Sequence, residues 1–209
     1  MKKFILIAVL MLVLNSSSVM GIEAAGTAFG TTTTAKVIGA GNGNFGMVAG
    51  IADATTFGGT FTYGMSNYID GRVKLGLISA NSNTDIVFGA DLKYQIWSVS
   101  DAAAKPFDMS LGGLLEYTSG DHYSILHLGG FVLGSYPFQL NNGSFLTPYA
   151  RFNLRLENFS ADDGGSSSEL EFGINGGVSY DLSKNMTAYG EFQIDGNDGV
   201  FFGLDFRVL

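Results

Sequence analysis

The feature that most constrains this chain is a two-residue alternation of apolar and polar side chains. It recurs in ten segments, and no stretch between them sustains a helical period. The segments are 44–51, 55–63, 69–79, 85–97, 108–118, 123–136, 145–158, 169–180, 186–195 and 200–209. In 85–97, Ile86, Phe88, Ala90, Leu92, Tyr94 and Ile96 share one parity, and Gly89, Asp91, Lys93 and Gln95 the other. In 145–158, Ala150, Phe152, Leu154 and Leu156 oppose Arg151, Asn153, Arg155 and Glu157. A strand sends successive side chains to opposite faces, so each segment has one large apolar face and one polar face.

Composition decides what the apolar faces meet. The chain is 46% hydrophobic and only 14% charged, against ~25% charged in an average domain. No apolar run reaches the ~20 residues of a spanning helix. Strands that face lipid on one side and a polar lumen on the other reconcile these facts. The expected fold is therefore all-β: a single closed antiparallel up-and-down transmembrane barrel of about ten strands, with eight or twelve as alternatives.

The connectors alternate in chemistry. Those at 63–68, 98–107, 136–145 and 180–185 are flanked by aromatics, as where strands cross a membrane interface. Those at 52–54, 80–84, 119–122, 160–168 and 196–199 are small, polar and acidic. An even strand count returns the C-terminus to the side of the first strand. Assigning that side to the periplasm puts the acidic loops outside, with Asp53, Asp85, Asp121, Asp162, Asp163, Asp195 and Asp198 as a solvated face.

The N-terminus has a separate logic. Lys2 and Lys3, the apolar run 4–14 and the small-residue stretch after it have the layout of a secretory signal peptide, assigned to residues 1–25. Cleavage after Gly21 or around Ala25 fits the small residues there. Residues 26–43, rich in Thr and Gly, read as a periplasmic lead-in, with 34–38 as an alternative extension of the first strand, and 44–209 as the barrel. The absence of cysteine excludes disulfides and cysteine metal sites. The acidic balance argues against nucleic-acid binding. No cofactor or metal is expected.

The last strand carries Val200, Phe202, Leu204, Phe206 and Val208 on one face and Gly203, Asp205 and Arg207 on the other. It resembles the C-terminal assembly signal of outer-membrane barrels, although the chain ends in Leu209 where such signals usually end in an aromatic. With the signal peptide and the strand pattern, residues 44–209 resemble the small porin-like Gram-negative outer-membrane β-barrel proteins. The resemblance implies export and insertion by periplasmic chaperones and the barrel-assembly machinery. It also implies a monomer surrounded by outer-membrane lipid and lipopolysaccharide.

The candidate functional residues are the inward charges: Arg72, Lys74, Lys93, Arg151, Arg155 and Arg207 against Asp91, Glu116, Glu157, Glu171, Glu191 and Asp205. Lys74 is expected opposite Asp91, and Thr118 opposite Tyr123 with Glu116, His127 and Phe131 inward. One reading is a salt-bridge network that fills the barrel in place of an apolar core. The other is a narrow passive conduit for small polar solutes. The small inward residues of the first two strands, Gly46, Val48, Gly50, Thr56, Gly58 and Thr60, leave space along one wall. A different class is a rim enzyme: a proteolytic one would draw on Asp121, His122, Asp162 and Asp163, and a lipid-modifying one on His122 and Ser124. The latter lacks an orienting acid, since Glu116 has the opposite parity.

Overall fold

The computed structural model describes residues 26–80, 83–100 and 105–209. The signal-peptide expectation falls on 1–25, outside the described residues. The strands are β1 (Gly43–Ala52), β2 (Thr55–Gly64), β3 (Ile69–Ala80), β4 (Asn83–Trp97), β5 (Asp108–Ser119) and β6 (Tyr123–Ser135). They continue with β7 (Phe138–Gln139), β8 (Phe145–Ala161), β9 (Ser166–Ser183), β10 (Met186–Ile194) and β11 (Gly199–Arg207). Two-residue β7 lies in the turn before β8 and pairs only with its start. The other ten pair antiparallel with their neighbours, and β1 pairs with β11, closing the barrel.

The alternation explains the closure. Phe88, Leu92, Phe152, Leu154, Leu156, Phe172, Phe192 and Phe202 stand exposed on the outer surface, while Asp91, Lys93, Arg151, Asn153, Arg155, Glu191 and Gln193 are buried inside. This is the inside-out arrangement of a transmembrane β-barrel. Tyr63, Tyr68, Phe107, Tyr136, Phe138 and Phe145 are exposed near the end that carries Leu209, the inner end. The acidic loops close the outer end.

Parity held in both predicted hairpins, but each register is shifted by two residues. Arg72, rather than Lys74, stands opposite Asp91, and Lys74 faces Gly89. Ser119 pairs with Ser124, so that Glu116 faces His127. A two-residue shift leaves every side chain on its own face, so the apolar pattern cannot distinguish the two registers. The β8–β9 hairpin is also longer than expected: pairing runs to Ser160 and Ser166, leaving a tight turn where a loop over 160–168 was expected. Residues 166–170 are exposed on both faces. A hairpin standing clear of lipid needs no alternation, which is why its sequence read as loop.

The largest departure is the stretch before β1. Placed by sequence in the periplasm, it instead runs inside the barrel. Thr27, Ala28, Phe29, Thr31, Thr32, Ala35 and Val37 are all buried, with Thr27 at the outer end. The chain descends to Gly39 and Gly41, whose positive φ of 83° and 77° let it turn sharply into β1. Gly41 N there donates to Gly64 O at 2.9 Å. Lacking clear alternation, the stretch shows no lipid face, and residues 34–38, which by sequence could extend the first strand, belong to no strand, β1 beginning at Gly43.

Candidate functional site: the lumen and its internal segment

An extended chain with no strand partner brings unpaired amides and carbonyls into a buried space, and each must find a hydrogen bond. The lumen side chains supply them. At the outer end Thr27 N and Thr27 Oγ1 donate to Asp195 Oδ2, at 3.2 and 2.6 Å. Gln193 Nε2 donates to Thr27 O at 2.7 Å. Ala28 N donates to Glu116 Oε2 at 2.7 Å. Thr31 N and Thr32 N each donate to one oxygen of Glu191, at 2.6 and 2.9 Å. Further in, Ala35 N donates to Ser135 Oγ and Val37 N to Gln95 Oε1. The cations serve the carbonyls: Arg72 Nη1 donates to Thr31 O at 2.7 Å, and Lys93 Nζ to Thr34 O at 2.8 Å.

Bringing two consecutive amides onto one carboxylate bends the backbone. Thr32 has φ of 36°, a left-handed conformation that is strained for a β-branched residue. The segment also carries two apolar anchors. Phe29 packs among Val48, Ala54, Ile78, Val87 and Phe201, and Ala35 among Leu114, Phe131, Leu133 and Tyr149. The Phe29 ring occupies the space that the small inward residues leave. A Cβ on Gly58 would stand 2.6 Å from that ring, and one on Gly76 3.0 Å.

The predicted charges fall into groups around the segment. Asp91 joins Arg72 and Lys74, the latter at 3.0 Å, and Lys74 also reaches Glu116 at 2.5 Å. Lys74 Nζ lies 5.6 Å from the centre of the Phe29 ring. Lys93 pairs with Asp70 at 3.4 Å. Arg155 spans two acids at the outer end, Asp195 at 3.6 Å and Glu157 at 3.8 Å. Glu191 accepts from Tyr149 OH and Asn175 Nδ2, and Asp205 from Tyr189 OH. Arg151 donates to Asn175 Oδ1 and lies over the Phe131 ring.

Two predicted members stand apart. Arg207 has the inward parity but is exposed at the strand's inner end. Glu171 is half-buried near the outer rim, with no ion pair among the described residues. Asp195, read as a solvated loop acid, is instead buried under Thr27, and burial raises its carboxyl pKa. Asp85 is likewise buried and accepts from Tyr123 OH. Asp70, Asn175, Gln193 and Tyr149 were missed as members of the network. Their signal was present, since each continues the inward parity of its strand. At the rim, His122 and Asp162 are exposed and 3.7 Å apart. No hydrogen bond joins His122 to Ser124 among the described residues, and no group of metal-binding side chains is found there.

At the inner end a cavity opens between the segment and the wall, lined by Thr34, Lys36, Asn44, Thr147, Ser179 and Arg207 among others. It ends against Tyr189, whose ring meets that of Tyr149 edge-on with centroids 6.4 Å apart.

No protein-family model matches the chain, and no curated protein matches it. Among solved structures it is similar to the N-terminal β-barrel domain of Pseudomonas aeruginosa OprF, at 14% identity and a TM-score of 0.40. That match covers 81% of this chain and 99% of the other. It is also similar to the KdgM porin, at 10% identity and a TM-score of 0.41, covering 79% of this chain and 99% of the other. Likeness of that extent carries no functional information. The barrel assignment stands on the chain's own closure and its two faces.

Proposed function

We propose that this chain is an outer-membrane β-barrel that works as a narrow passive conduit for small polar solutes, with its own residues 27–37 as the closing element. The supporting observation is that the ten-strand wall closes without the segment. Residues 27–37 are held by side-chain hydrogen bonds and two apolar anchors, with no strand pairing to the wall. Such an element can leave without opening the sheet. Behind it lie Gly58 and Gly76, so its departure uncovers space along the wall. A rim enzyme finds no support in the geometry of His122 and Ser124.

The experiment compares single-channel conductance in planar bilayers of the refolded chain and of a variant with 27–37 replaced by a short Gly/Ser linker. Heat-modifiability on gels monitors folding of both. The variant is expected to show defined open steps well above those of the parent. A folded variant that conducts no better than lipid would leave a purely structural barrel. His122→Ala with Ser124→Ala is expected to leave the lipid profile of the membrane unchanged; a changed profile would restore the enzyme.

A further inference from the structure

Buried hydrogen-bonding groups rarely stay unpartnered, and where protein supplies no partner an ordered water does. The inward face of β8 concentrates such groups. Arg151 Nη2, Asn153 Nδ2 and Glu157 Oε2 are all buried without a hydrogen-bond partner, and the first two residues are each 1% exposed. They share one face of the strand, from mid-lumen to the outer rim, with the buried Arg155 between Asn153 and Glu157. Toward the inner end the same face continues through Tyr149 to Thr147, which lines the open inner cavity. Thr56 Oγ1 on β2 and Ser110 Oγ on β5 each stand singly on their strands.

We propose that the inward face of β8 carries a file of water past the lumen segment, a residual path for water and small monovalent ions while residues 27–37 are in place. The path enters at the inner cavity, passes the Tyr149–Tyr189 ring pair, and follows Arg151, Asn153 and Glu157 to the outer rim. Tyr149 stands where the inner cavity meets the file. The ring lies close over Gly177, where a Cβ would stand 2.6 Å from the phenol oxygen, and is tethered to Glu191 by its hydroxyl at 2.7 Å. Charges of both signs line the file, so it should discriminate weakly between cations and anions. This inference rests on the conduit reading and adds a route and a class of permeant to it.

The test is osmotic shrinking of proteoliposomes, with conductance in KCl alongside, for the full refolded chain. Asn153→Leu removes the middle of the file. Thr60→Val, on the opposite wall, is the control. The parent is expected to pass water at least several-fold faster than empty vesicles. Asn153→Leu should lose most of that excess while Thr60→Val keeps it, all three remaining heat-modifiable. Tyr149→Phe, which releases the tether and keeps the ring, should raise the flux. A folded parent no more permeable than lipid, or an Asn153→Leu variant that matches the parent, would overturn the path. If the linker variant still opens in either case, the segment-closed conduit survives without the file; if it too is silent, the conduit reading itself has failed.

Discussion

The lumen wall has two unlike sectors. Across β1 and β2 the inward residues are small or hydroxylic, Gly46, Val48, Gly50, Thr56, Gly58 and Thr60, and the Phe29 ring takes up the room beside Gly58 and its β3 neighbour Gly76. Across β5–β8 large side chains, Leu114, Phe131, Leu133, Tyr149, Arg151 and Arg155, fill most of the space beside the wall. The first sector is complete only when residues 27–37 are present. The second is nearly complete without them, and what it leaves over is a set of unpartnered polar groups on β8. A barrel of about eight strands is just wide enough for side chains to fill, and ten strands add only a little room. The choice of small or large residues along one arc therefore decides whether the lumen has room for anything besides itself.

If the small sector is a seat, removing its occupant should have the largest effect. Phe29→Ala leaves a cavity among Val48, Ile78 and Phe201 and should lower the unfolding free energy by about 3–5 kcal/mol. Urea unfolding of the refolded barrel would measure this, and a loss no larger than that of a surface substitution would break the contrast between sectors. A comparable loss, ~3–5 kcal/mol, is expected for Asp91→Ala, which removes the ion-pair partner of the buried Arg72 and leaves Lys74 with Glu116 alone. Glu191→Gln is milder. It keeps an acceptor for one of the two backbone amides but weakens the charge-assisted bonds, at about 1.5–3 kcal/mol. It should also raise conductance by loosening the bend at Thr32. A stability loss with unchanged conductance would show that Glu191 holds the wall and not the segment.

The barrel itself was legible because lipid imposes a rule on every strand. Parity alone placed Asp91, Lys93, Arg151, Arg155 and Glu191 inside and Phe88, Leu92, Phe152 and Phe172 outside. The same rule is silent on register, which is why Arg72 and Lys74 exchanged places opposite Asp91. It stops at the membrane surface, which hid the upper β8–β9 hairpin and left Asp195 looking solvated. It has nothing to say about residues 27–37, whose partners on the wall are 40 to 170 residues away in sequence. The space was readable in the first two strands, but not the identity of its occupant. What did foreshadow it was the excess of hydrogen-bonding groups on the inward faces, more than ion pairing among themselves would use. Those groups are the partners of a buried backbone.

The smallest effect sharpens the comparison at the outer end, where the tip of the segment meets Asp195. That carboxyl lies in a loop beyond the strands. Burial raises its pKa above the ~3.9 of an exposed aspartate, with Arg155 and the Thr27 donors opposing the shift. A raised native value means that the folded state binds the proton more tightly than the unfolded state does. The stabilisation is complete below about pH 4 and is lost as pH rises through the native value. The barrel should therefore lose a little stability from this site on going from pH 4 toward neutrality. Asp195→Asn keeps a carbonyl acceptor for Thr27 and cannot ionise, so it should flatten that part of the profile. Unfolding midpoints across pH 4–7 for the two proteins would decide it. Parallel curves would mean that Asp195 is charged throughout and held by Arg155, so that the segment's tip is seated by an ion pair and not by burial.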